Sequence, residues 1–468
     1  MSDLTELPDL AAKRLGAMVL AANDEFFAPK ENLLEPHPPA FEPHRFTDRG
    51  QEVDGWETRR RREPGHDWCV IRLGVPGIVR GIVVDTAHFS GNYPERCSLD
   101  GAVLDPADED RALEAHAPWT PVLPESNLQG DSLNEFAVDS PVRFTHLRFN
   151  IHPDGGVARL RIHGEPLPDL RRLTGPGGDA DLAGLPNGGM MLSASDRFFS
   201  SPHTLNTVGD ARDMGDGWET RRRRGPGHDW VVLRLAAEGA IHRIEVDTTH
   251  FKGNHPESCS VEAARGPGGL EGLEWREAVP RTKLRPHARH AFDVADAEPA
   301  AHVRLNIFPD GGVARLRVHG RVTDDGWRSW GVRWLNARTA EAGEADLLAC
   351  CGSVEWARRV LAGRPYAGFD ELLRAATAAW DSVGPDGWRE AFAAHPRIGE
   401  AASSAWSRQE QSGAAGASAE TMAALAEGTR AYEERFGRIF LVCAAGRSAP
   451  EMLALCQRRL QNDAQSSE

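Results

Sequence analysis

Apolar and β-branched residues alternate with polar ones through most of the chain up to Gly320. Ile82, Val84 and Thr86 fall on one side of an extended segment, as do Ile244, Val246 and Thr248; the same period returns at Leu147, Phe149, Ile151 and at Val303, Leu305, Ile307. A period of two sends successive side chains to opposite faces, so these segments read as half-buried strands. Turn words such as GNYP, PDGG and GPGH divide them at short intervals, and no amphipathic helix of convincing length interrupts them. After Gly320 the stretch TDDGWRSWGVRWLNARTAEAG reads as a connector, and from about Leu347 the period becomes helical. Phe369, Leu372, Leu373, Ala376, Trp380 and Val383 share one helix face; Met422, Leu425, Thr429, Tyr432 and Phe436 share another, with Gly437 placed to cap it. SAPE at Ser448–Glu451 is a capping box that opens one further helix.

The strand-rich part is written twice. DGWETRRRREPGHDW (Asp54–Trp68) returns as DGWETRRRRGPGHDW (Asp216–Trp230), IVVDTAHFSGNYPERCS (Ile82–Ser98) as IEVDTTHFKGNHPESCS (Ile244–Ser260), and LRFNIHPDGGVARLRIHG (Leu147–Gly164) as VRLNIFPDGGVARLRVHG (Val303–Gly320). Each copy is far longer than a solenoid repeat, so a whole domain has been duplicated. Two antiparallel β-sandwiches of jelly-roll type are expected, over residues 1–170 and 185–325, followed by an all-α domain over residues 340–468. If WETRRRR is a strand, alternate arginines point to opposite faces and at most two address one ligand; Arg60, Arg62, Arg222 and Arg224 then read as solvated or ion-paired.

Composition narrows the partners. The chain has 468 residues and a net charge of −15, a field that repels phosphate backbones and anionic membranes and leaves the arginine runs poorly placed to hold nucleic acid. Seven cysteines, an odd number without a C-x-x-C pair, fit a reducing cytoplasm, and GAMVLAA is too short to span a membrane. A cytoplasmic homo-oligomer acting on small molecules, without nucleic acid, membrane, metal or cofactor, is the expectation.

Several chemistry-bearing residues recur in both copies: Asp85/Asp247, His88/His250, Asn92/Asn254, Glu95/Glu257, Asn150/Asn306, Asp154/Asp310, Arg159/Arg315 and Arg161/Arg317, with the pairs His66-Asp67 and His228-Asp229. Such a set suits a small polar substrate with carboxylate and amide groups, since arginine grips carboxylates, Asp and Asn satisfy N–H donors, and His moves protons near neutral pH. Duplication preserves structural residues equally well, and Asp154 in PDGG and Asn92 in GNYP read as turn residues. The copies differ at His152 against Phe308 and Tyr93 against His255, so they need not be equally active.

FFAPKENLL, DGWETRRRR-x-PGHDW, VDTAHFSGNYPE and NIHPDGGVARLR, between Asp24 and Gly320, resemble the allantoicase family. The resemblance implies tandem galactose-binding-like jelly rolls that hydrolyse allantoate to ureidoglycolate and urea. On that reading Arg159 and Arg315 anchor the carboxylate, His88 and His250 with Asp85 and Asp247 transfer protons, and Asn92, Asn254, Glu95 and Glu257 contact substrate. Non-catalytic sugar- or ligand-binding modules are the alternative for this architecture.

In the α domain, WREAFAAHPRIG puts Trp388, Phe392 and His395 on one helix face and ends the helix at Pro396, and Ser407 and Glu410 stand one turn apart in SRQEQ. Together with YEERFGRIFLVCAAG, these residues resemble the decarboxylase of 2-oxo-4-hydroxy-4-carboxy-5-ureidoimidazoline (OHCU), a family without cofactor. The resemblance implies catalysis by His395 and Glu410 and substrate binding by Pro396, Ser407, Gln411, Phe440 and Ala444, with (S)-allantoin as product. That family carries a further helix with a carboxylate-binding arginine beyond the point where this sequence reads QRRLQNDAQSSE; Arg447, Arg458, Arg459 or a partner chain is expected to supply that charge, and without it the domain is inactive.

Overall fold

The structure is a computed structural model that describes residues 4–113, 117–174, 179–266, 270–295, 298–394, 418–442 and 447–462. It divides into two compact units, Met1–Ala337 and Arg338–Glu468.

In each repeat one nineteen-residue strand, Asp67–Asp85 or Asp229–Asp247, joins two layers of antiparallel sheet. The first half of Asp67–Asp85 pairs with Met18–Ala22 and Arg143–His152, and its second half with Leu133–Ala137 and Arg159–Pro166. The second repeat reproduces this with Met190–Ala194, Pro299–Phe308, Arg289–Asp293 and Arg315–Val322 around Asp229–Asp247. The alternating positions of these strands meet between the layers, where Ile82, Val84, Leu147, Phe149 and Ile151 are almost fully buried, as are Ile244, Val246, Val303, Leu305 and Ile307. Each core closes on a tryptophan, Trp56 or Trp218, whose indole Nε1 donates to the carbonyl of Asp24 (2.8 Å) or Asp196 (2.9 Å), so a large side chain is buried with its polar atom satisfied.

The arginine runs are not strands. Pairing stops at Trp56–Glu57 and Trp218–Glu219, and the arginines follow as irregular chain. An alternation survives for another reason: carboxylates take every second arginine. Arg59 Nε binds Asp24 at 2.6 Å and Arg61 Nη1 binds Asp67 at 2.8 Å, with Arg221–Asp196 and Arg223–Asp229 as counterparts, while Arg60, Arg62, Arg222 and Arg224 are exposed. Asp154 and Asp310 of PDGG accept the backbone N–H of Arg61 and Arg223 at 2.8 Å, which ties each run to the facing turn.

The two glycines of PDGG have separate causes. Gly155 and Gly311 have φ of 142° and 134°, where a side chain is strained. Gly156 and Gly312 lie under Phe89 and Phe251, and a Cβ on either would meet the ring at 2.0 Å. Gly312→Ala therefore displaces Phe251, the residue after His250, and is expected to cost about 1–3 kcal/mol of stability in urea unfolding, the range for overpacking a core.

The segment read as a connector is helical. Asp324–Asn336 forms a helix capped by Thr323, whose Oγ1 accepts from Gly326 N at 3.0 Å, and its Trp330 and Trp334 join the core of the second repeat. Two glycines and four charged residues obscured its Trp327–Trp330–Trp334 spacing.

Among the described residues, the second unit contains the helices Ala340–Cys350, Val354–Ala362, Phe369–Ala393, Ala419–Phe436 and Ala449–Arg459. Phe369–Ala393 bends at Gly384 (φ 69°) ahead of Pro385, and Trp380 packs against Trp388 and Phe392 across the bend. Gly437 caps Ala419–Phe436 with φ 66°, and Ser448 and Glu451 form the expected capping box. Among the described residues no helix is long and apolar enough to cross a membrane.

Candidate active site

The long strand of each repeat ends in an aspartate that shapes the turn beyond it. Asp85 Oδ1 accepts from Ala87 N, and Asp247 Oδ1 from Thr249 N, both at 2.8 Å. The next residues, His88 and His250, sit at φ 68° and 72°, a left-handed conformation uncommon for residues with a side chain and imposed here by the surroundings. The imposition is visible: each backbone N–H is held at 2.8 Å by a side chain from a neighbouring loop, Asp131 Oδ1 in the first repeat and His287 Nδ1 in the second. Both of those residues are left-handed too, at φ 50° and 48°.

Sequence comparison of the copies overlooked His287 because its partner position is an aspartate. In the second repeat a cleft of about 410 Å³ is lined by Asp213, Met214, His250, Lys252, Gly253, Asn254 and His287. Two hydrogen bonds fix the tautomers within it. His250 Nε2 lies 2.9 Å from the Ala211 carbonyl, an acceptor only, so Nε2 carries the proton and in the neutral ring the lone pair is on Nδ1. His287 Nδ1 accepts a backbone N–H, so its proton is on Nε2. The rings stand edge to face, 5.7 Å apart.

The first repeat offers different surroundings at the same place. Asp131 replaces His287, Ser90 stands where Lys252 does, and the insertion before Asp54 lays the Phe41 ring against His88 at 5.6 Å. An anion meets an ammonium and an imidazole N–H donor in one repeat, and a carboxylate and a hydroxyl in the other.

Asn254 lines the cleft with His250 and donates to Glu219 at 2.7 Å, as Asn92 does to Glu57 at 2.6 Å. Burial raises the Glu57 carboxyl above its ordinary range, with Asn92 opposing. Glu95 and Glu257 are exposed, and Glu257 turns to the Ser258 hydroxyl and Arg281; neither joins the cleft.

Arg159 and Arg315 stand opposite Asp85 and Asp247 in the strand register. They are 2% and 3% exposed, and their donors are spent on protein: Arg315 binds the carbonyls of Gly209, Asp216 and Ala314 and the Asp216 carboxylate, and Arg159 the matching His37, Asp54 and Ala158 groups. No fork remains for a substrate carboxylate, so the anchoring role expected of them is corrected to a structural one. Asp216 also meets Arg14. Burial opposes its ionisation, but the hydrogen bonds from Arg14 and Arg212 N and the charges of Arg14 and Arg315 outweigh it and hold its carboxyl down to about 2.

Known proteins place this architecture. Residues 8–167 and 180–323 match the allantoicase repeat. The chain belongs to the allantoicase family. It is 46% identical over 333 residues to a probable allantoicase of Streptomyces coelicolor, covering 69% of this chain and 87% of that one, and 49% identical over 320 residues to a probable allantoicase of Pseudomonas aeruginosa, covering 67% and 95%. A solved allantoicase of Saccharomyces cerevisiae superposes with a TM-score of 0.57 at 34% identity over 67% of this chain and 93% of that one. Residues 336–468 match the OHCU decarboxylase family, so the allantoicase repeats here carry a second enzymatic domain.

In that domain His395, Pro396, Ser407, Glu410, Gln411 and Ala444 lie outside the described residues. Phe440 is buried, with its ring edge-on to Tyr432 at 5.4 Å, and Arg459 donates to the carbonyl of Leu441 at 2.6 Å.

Proposed function

We propose that the chain hydrolyses allantoate to ureidoglycolate and urea in the cleft of its second repeat, and that its helical unit decarboxylates OHCU to (S)-allantoin, making it bifunctional in allantoin catabolism. The observation that carries the first assignment is the replacement of Ser90 and Asp131 by Lys252 and His287 around an otherwise shared turn. Allantoate is a carboxylate whose central carbon bears two ureido groups. The Lys252 ammonium takes the carboxylate, His287 Nε2–H donates to a ureido carbonyl, and Asp213 with Asn254 accepts ureido N–H groups. The bare Nδ1 of His250 takes a proton from a water whose oxygen replaces one ureido nitrogen at the saturated central carbon, the C–O bond forming as that C–N bond breaks, and the same proton passes to the departing nitrogen, completing urea. His250 ends the cycle in its starting tautomer.

Family membership and the motif around His395 support the second activity. The purified full chain should release urea from allantoate and consume OHCU. His395→Ala should remove only OHCU consumption, by roughly 100-fold or more. A wild-type chain that releases no urea from allantoate would end the first assignment, and one inert towards OHCU would end the second.

A further inference from the structure

Arg234 and His302 stand directly opposite each other on the strands Asp229–Asp247 and Pro299–Phe308. His302 is 0% exposed, and neither of its ring nitrogens has a protein hydrogen-bond partner among the described residues; Nε and Nη2 of Arg234 are equally buried and equally unpartnered. The equivalent pair in the first repeat, Arg72 opposite His146, is provided for: Arg72 Nη2 lies 3.4 Å from the Gly16 carbonyl and 2.9 Å from the Met18 sulfur, and His146 Nδ1 lies 2.9 Å from Thr145 Oγ1. The same strand positions thus leave donors idle in one copy only.

Their location explains the difference. Arg234 faces the seam where the two repeats and the Asp324–Asn336 helix meet, in the field of Glu165 and Arg333. Glu165 is engaged by Arg80 at 2.9 Å. Burial, with the Arg234 charge beside it, pushes the Arg333 guanidinium down to about 9, and burial lowers Arg234 and His302 as well. A chain of net charge −15 has gathered three guanidinium groups around one carboxylate here. Buried charge without a counter-charge is costly, and so are buried donors without acceptors.

We propose that this seam binds a small oxyanion through Arg234 and His302. Nε–H and Nη2–H form one edge of a guanidinium, with two parallel donors spaced for two oxygens of a carboxylate or phosphate; His302 adds a third donor. Chloride has no pair of oxygens to match that edge. The site lies on strand positions separate from the hydrolytic cleft and stands whether or not the cleft is catalytic.

The test is the thermal unfolding midpoint of the full chain titrated with inorganic phosphate, acetate or chloride at matched ionic strength. Phosphate, acetate or both should raise it along a saturating curve while chloride does not, and the anion that saturates at lower concentration identifies the class. Arg234→Met should abolish the saturating response, Arg234→Lys, which keeps charge but loses the paired edge, should weaken it about tenfold, and Arg72→Met should leave it intact. Equal midpoints in all three anions for the wild type, or an unchanged curve in Arg234→Lys, would overturn the proposal, and the lysine variant decides the matter if the methionine variant does not fold.

Discussion

His250→Ala is expected to lower kcat/KM for urea release from allantoate by about 100-fold or more, the usual range for loss of a general acid–base group, while His88→Ala stays within about twofold of wild type. The two residues end identical turns, with φ of 72° and 68° and equivalent backbone restraints, so the difference lies in what surrounds them. His250 shares a cleft with Lys252, Asn254 and His287 and offers an imidazole nitrogen with a free lone pair; His88 packs against Phe41 and has Asp131 where an anion would need a donor. The loss should fall on kcat rather than KM, because His250 acts on water and leaving group while Lys252 holds the carboxylate. Equal losses in both variants would mean that both repeats turn over substrate.

The largest stability effect is expected from Asp216→Asn. Asp216 is 4% exposed and answers Arg14, from the N-terminal segment, Arg212, and Arg315, which is itself buried. Removing one partner of a buried pair leaves the other charge uncompensated, a cost of about 3–5 kcal/mol. Asp54→Asn in the first repeat should cost less, because Asp54 is more exposed and pairs with one arginine, whereas Asp216 pairs with three. The pH dependence follows from the same group. Its folded carboxyl is held at about 2 against an ordinary 3.8, so its stabilisation is complete above pH 3.8 and is lost as pH falls towards 2; in Asp216→Asn that acid-side loss should be missing from unfolding curves taken across this window.

Much of the fold could be read from residue order alone. Alternation at Ile82–Thr86 and Val303–Ile307 located strands because these repeats bury one face of each strand, and the doubled GHDW and PDGG words located the duplication. The α caps at Gly437 and Ser448 were legible because they are local chemistry. What escaped was decided by tertiary contacts. Arg59 to Arg62 carry no strand pairing because Asp24, Asp67 and Asp154 claim the run, and of these only Asp67 lies near it in sequence. Arg159 and Arg315 resemble carboxylate anchors until Asp54, Asp216 and surrounding carbonyls are seen to occupy them. His287 could not be found by matching the copies, since pairing it with Asp131 requires knowing that both left-handed residues hold the same backbone N–H. The one available signal was a histidine in a loop, RPHARH, facing QGDS.

Occupancy of the cleft is the central claim, and acylation of individual histidines by diethyl pyrocarbonate, read by peptide mass spectrometry on the wild-type full chain, tests it most directly. N-carbamoylglycine, a carboxylate with one ureido group and no second one to release, serves as the ligand. Slower acylation of His250 and His287 in its presence, with His88 unchanged, is the predicted result; protection of His88 with His250 and His287 unaffected would contradict it.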